Sequence, residues 1–106
     1  MNSKATGTAD YSNLPINKGV PAPVVVKPQG DVNNPVEFSG TGLAGWWVWI
    51  MKVPIDGYSF ASTQVGPDGI WSVKEKLLAA EYEAFAVQTD NRERSDWSPF
   101  FKFKVE

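Results

Sequence analysis

"VKEKLLAAEYEAFA", residues 73–86, is the one stretch in which helix and strand compete, and its reading decides the fold. Lys, Glu, Leu and Ala favour a helix, and Leu77, Leu78 and Tyr82 would share one helical stripe. On either side of Leu77 and Leu78, however, the period is two. Trp71 and Val73 alternate with Ser72 and Lys74, and Tyr82 and Ala84 alternate with Glu83. Two strands joined by a turn fit this alternation. The chain therefore reads as all-β.

Outward from that stretch, short β-type runs alternate with turn signals. "PVVVKP" (23–28) is a proline-bracketed strand suited to a sheet edge. "VEFSGTG" (36–42), "WWVWIMKV" (46–53) and "SFASTQV" (59–65) follow. "IWSVKEKL" (70–77), "EYEAFAVQT" (81–89) and "WSPFFKFKVE" (97–106) complete the set. The turns are "GDVNNP" (30–35), "PIDGY" (54–58), "GPDG" (66–69) and "DNRERSD" (90–96), rich in the residues that tight turns need. About seven strands at this spacing predict a two-sheet sandwich with Greek-key connections. Residues 1–22 are polar and broken by proline, and read as a flexible or extended arm or linker before a domain over 23–106.

Composition removes most chemistry. The 106 residues hold one core, and a net charge of −2 without a Lys/Arg cluster gives no footprint for nucleic acid. No apolar run approaches the roughly 18–20 residues of a membrane span. "MNSKATGTADYSN" (1–13) has no apolar centre for a signal peptide, so the chain is not exported by that route or is a piece of a longer one. Cysteine and histidine are absent, which removes disulfides, thiol chemistry and imidazole as base or ligand. "GTGLAG" (40–45) leads into a strand and not a helix, so it is no phosphate loop. Glu37, Asp56, Asp68, Glu75, Glu81 and Glu83 show no spacing that suggests a carboxylate pair. Asp90, Asn91, Glu93 and Asp96, and separately Asp31, Asn33 and Asn34, are oxygen-rich but read as solvated turns, not calcium loops. No catalytic residue, metal or cofactor is expected, and no enzyme.

"PVEFSGTGLAG" running into an apolar strand, then "VGPDGIWSV", then "EYEAFAVQTDN" followed by "SDWSPFFKFKV", in that order over residues 23–106, resembles a bacterial immunoglobulin-like repeat module of surface and adhesin-type proteins. Trp46 and Trp47 depart from the small or polar pair usual after the Gly-rich turn, and "NRERSD" departs from a "Gly-Asn" final loop. The resemblance implies an immunoglobulin-like Greek-key sandwich acting as spacer, stalk or binding unit, at the cell surface or outside the cell as part of a larger protein.

Period two then assigns the aromatics to faces. Trp46, Val48 and Ile50 should point inward, as should Tyr82, Ala84 and Ala86, and Phe101, Phe103 and Val105. In an immunoglobulin-like topology the third, sixth and last strands are neighbours, so Trp47, Trp49, Met51, Phe85, Val87 and Phe100 should gather on one outer face, with Lys102 and Lys104 at its margin. That patch is the candidate binding surface. Its partner would be protein (a neighbouring module, a second copy or a host surface protein) or a glycan stacked on the rings. Tyr11, Leu14 and Ile16 of the arm would also serve as a lid, and a bulge would turn the set inward. Trp97 is placed either as core cap or as surface.

Overall fold

The computed structural model of the protein describes residues 14–53 and 59–106. Eight strands and no helix occur among them: β1 (Val24–Lys27), β2 (Gly30–Val32), β3 (Val36–Thr41), β4 (Trp47–Val53), β5 (Ser59–Gln64), β6 (Ile70–Glu75), β7 (Ala80–Thr89) and β8 (Phe101–Val105). One sheet has the order β1-β3-β6 and the other β2-β8-β7-β4-β5. Every pairing is antiparallel except β2 with β8. This is an immunoglobulin-like Greek-key sandwich, with the first strand divided between the two sheets. The first part of the expected arm (1–13) and the expected turn at 54–58 lie outside the described residues.

The ambiguous stretch 73–86 ends β6, turns, and begins β7. Its helix formers are held in the corner by side-chain bonds. The Tyr82 hydroxyl donates to the Leu78 carbonyl at 2.7 Å, the tyrosine corner of such sandwiches. Asn34, from the turn beside it, accepts from the Leu77 N–H at 2.9 Å and donates to the Leu77 carbonyl at 2.7 Å. A helix through this segment would forfeit all three bonds.

Two expectations need correction. "GDVNNP" is not all turn, because Gly30, Asp31 and Val32 pair in parallel with Phe103, Lys104 and Val105. The run is short and half-polar, so its strand character comes from backbone bonds that hydropathy cannot register. Trp46 is not a core residue: it is half-buried, and β4 begins at Trp47. Its backbone is committed to the turn, with its N–H donating to Leu43 and its carbonyl accepting from Val65.

Between the sheets lie Val36 and Phe38 of β3, Val48 and Ile50 of β4, Trp71 of β6, Ala84 and Ala86 of β7, and Phe103 and Val105 of β8. Phe103 meets Phe38 edge-on at 5.7 Å and stacks on Tyr82 at 5.5 Å. Trp71 is fully buried, and its indole N–H donates to the Thr41 carbonyl at 3.0 Å, so no polar atom is stranded. It fits because its cross-strand partner is Gly40. A Cβ on Gly40 would run into the Val24 carbonyl and reach within 2.8 Å of the Trp71 ring. Gly40→Ala should therefore destabilise by about 1–3 kcal/mol through overpacking. Urea unfolding would check this, as a lower midpoint at unchanged slope.

Candidate functional site

The outer side of β4 and β7 carries Trp47 opposite Thr89, Trp49 opposite Val87 and Met51 opposite Phe85. Across β4 in the other direction, Gln64, Ser62 and Ser59 of β5 face the same three positions. The sheet thus holds an aromatic column between a polar edge strand and β7.

What covers Phe85, on the β7 side of this column, is the connection from β7 to β8. Asp90 turns the chain by accepting from the N–H groups of Arg92 and Glu93 at 2.9 and 3.0 Å. Thr89 donates to the Glu93 carbonyl and accepts from Asn91, which adopts a positive φ of 77°. The chain then returns along the upper half of β7. Ser95 and Ser98 donate their N–H groups to the carbonyls of Gln88 and Ala86. Their hydroxyls accept from the N–H groups of the same two residues, at 3.0 and 2.8 Å. Two serine hydroxyls stand where a neighbouring strand would place carbonyls, so the edge of β7 is satisfied without a strand.

Because this segment is not a strand, its side chains escape alternation. Trp97 lies on Phe85 with centroids 4.5 Å apart and planes 29° apart, and Phe100 lies on it at 5.4 Å and 22°. Trp97 and Phe100 are themselves 5.9 Å apart. Beneath them Met51, Phe85 and Val87 form a second buried cluster, with Trp49 and Val53 packed against it. The apolar rims left open belong to Trp47 (37% exposed), Trp97 (39%) and Phe100 (46%).

All six residues lie on the outer side of the sheet, but three of them are buried, which corrects the expectation of one open patch. Met51, Phe85 and Val87 are the buried floor, Trp49 is half-buried, and Trp47 and Phe100 reach solvent. Trp97 joins them as a second lid ring. Alternation counted backward along "WSPFFKFKVE" gives Trp97 the inward parity of Phe101 and Phe103, but β8 begins only at Phe101. Serines three apart beside the long strand were the available signal.

Below the aromatics the face becomes charged. Glu83 stands opposite Lys102, and Glu81 opposite Lys104, which also faces Asp31. The signs alternate, which leaves no field of one sign. The arm lies against the opposite end of β7: the Asn17 N–H donates to the Arg94 carbonyl, the Arg94 N–H to the Pro15 carbonyl, and the Gln88 side chain to the Pro21 carbonyl. Ile16 is 45% exposed.

The Asp90 carboxyl is held below its ordinary range, chiefly by the Arg92 N–H and then by that of Glu93. That carboxylate is the cap of its own loop. Among the described residues no group of three or more acidic side chains is placed to hold a metal ion.

Two solved structures share the architecture. A BSP domain of a biofilm associated protein superposes with a TM-score of 0.65 at 17% identity, covering 81% of this chain. This chain spans only 14% of that protein's length. The sulfur carrier protein SoxY from Chlorobium limicola f thiosulfatophilum superposes with a TM-score of 0.56 at 18% identity, covering 91% of this chain and 88% of that one. At such identities the likeness is one of fold. No protein-family model and no curated protein matches the sequence.

Two outcomes follow from the geometry. Phe85→Ala should cost about 3–5 kcal/mol, a core-sized loss from an outward-pointing side chain, measurable by urea denaturation. Asp90 has a depressed folded-state pKa, so its contribution is present above the unfolded carboxylate pKa and lost as pH falls through the folded one. Amide exchange at Arg92 and Glu93 should lose its Asp90-dependent protection over that acidic window, and Asp90→Ala should remove the effect.

Proposed function

We propose that the chain is a non-catalytic immunoglobulin-like module of a bacterial surface or secreted protein, a structural repeat that makes contacts through the aromatic face of its five-stranded sheet. The observation that carries this reading is the layered face itself. A buried floor fixes Trp97 and Phe100, and their outer surfaces, with that of Trp47, stay open. Rigid rings on a fixed support lose little entropy on contact, which suits recognition. Likeness in fold to a domain of a biofilm associated protein supports a place at the cell surface within a longer chain. Likeness to a sulfur carrier is a weaker guide, since this sequence has no cysteine on which a persulfide could form.

A glycan is the second reading. Trp97 and Phe100 are tilted by only 30° at 5.9 Å and offer near-parallel faces to the apolar sides of sugar rings. Ser62 and Gln64 flank Trp49 and Trp47 with groups able to bond hydroxyls.

Bacterial cells displaying the chain should be retained on a coated surface several-fold better than cells displaying Trp97→Ala/Phe100→Ala at equal density. Coats of serum protein, chitin and cellulose separate the readings: retention on the polysaccharides alone selects the glycan, and retention on protein selects a protein partner. Equal retention of both cell types on every coat would sink the proposal.

A further inference from the structure

The sandwich has four strand edges among the described residues, and three of them carry devices that discourage pairing. β1 is bracketed by Pro23 and Pro28, contains Lys27, and breaks register between Val25 and Lys27. β2 is three residues long with Asp31 at its centre. β6 carries Lys74 and Glu75. β5 differs: its sequence, SFASTQ, has no charge and no proline. Its one irregularity is the register shift near its start, where Met51 pairs with Ser59 after Ile50 has paired with Ala61. From Ala61 onward the ladder is regular, and it is prolonged past the strand by the bonds of Val65 to Trp46 and of Gly45 to Val65.

We propose that β5 pairs with β5 of a second copy of this chain, antiparallel about a two-fold axis. The choice of occupant follows from charge. In an antiparallel pair of identical strands, outward side chains near the axis face their own copies, so any charge there meets its like. An edge built for a foreign strand would gain specificity from a charge. An edge without one satisfies the requirement of self-pairing. With the axis at Ser62, that side chain would meet its own copy as a neutral hydrogen-bonding pair on the outer face, Ala61 would stand opposite Thr63 of the second copy, and the unpaired backbone groups there would find partners. The product is a ten-stranded sheet. Three inter-strand spacings would separate the two β4 strands, about 14 Å, and place both tryptophan columns on one continuous surface. This inference rests on the edge and not on the exposed rings, so it stands or falls separately from the contact role of the aromatic face.

Sedimentation of the full chain across ~10 µM to ~1 mM, the range of a weak dimer, tests it. The mass should double from 11.7 kDa as concentration rises. Ser62→Lys alone and Ser62→Glu alone should remain at the monomer mass with unfolding midpoints near that of the parent, and an equimolar mixture of the two should regain the doubled mass. Trp97→Ala/Phe100→Ala should dimerise like the parent. A parent that stays monomeric at the highest concentration overturns the proposal. So does a Ser62→Lys variant that dimerises undiminished, or a dimer lost in the Trp97/Phe100 variant, which would put the contact on the face instead.

Discussion

β7 is buried on both of its faces and paired along both of its edges, and the remainder of the structure answers to that. From Ala84 to Thr89 every residue is buried, which a strand covering a single core does not require. Inward, Ala84 and Ala86 are small because Trp71, Phe38 and Phe103 fill the space between the sheets. Outward, Phe85 and Val87 are large because they found a second cluster that something must cover. Burial on both faces removes water as a hydrogen-bond partner, so each N–H and C=O of this strand needs a protein partner. β4 supplies one edge over seven residue pairs, and β8 supplies the lower part of the other.

The upper part of that edge is where the structure makes its choice. A longer β8 would have satisfied Ala86 and Gln88, and would have forced alternation on residues 94–100. Ser95 and Ser98 provide the same bonds, donating with their backbone N–H groups but accepting with their hydroxyls, so the backbone carrying them is released from strand geometry. Trp97 and Phe100 can then lie on the same ring, which alternation along a strand would have forbidden to residues three apart. The anchoring continues beyond the sheet: Arg94, beside these serines, exchanges backbone bonds with Pro15 and Asn17 of the arm. Satisfying one strand's backbone and building the lid of the outer cluster are the same event.

This explains what could be read in advance. Faces were legible in β4, β7 and β8, because period two survives wherever the segment itself is a strand, whatever satisfies its edges. The pairs Val48/Ile50 and Ala84/Ala86 are inward, and Trp49/Met51 and Phe85/Val87 outward, as alternation requires. Depth was not legible. Glu83 marks the outer side of β7, yet two residues later that side is fully buried, because the cover comes from a loop whose register follows serine hydroxyls and not hydropathy. Trp97 escaped for that reason, and Trp46 because a turn claimed its backbone. β2 escaped because pairing through the main chain leaves no mark on a three-residue polar run.

The layered face also bears on what kind of work such a chain can do. A sandwich of this size without histidine or cysteine has few groups able to hold or move a proton near neutrality, and its outer face ends in acidic and basic side chains that alternate. What the outer face does hold is rings packed on other rings. If the outer cluster were needed for stability alone, Phe85 would be as well served by lids that bury themselves. Trp97 and Phe100 bury Phe85 completely and yet keep more than a third of their own surface in water. The side that faces Phe85 stabilises the fold, and the side that faces outward is held in place by that same contact. Rigidity at the surface is thus a by-product of burial beneath it, and a partner meeting those rings would find them already ordered.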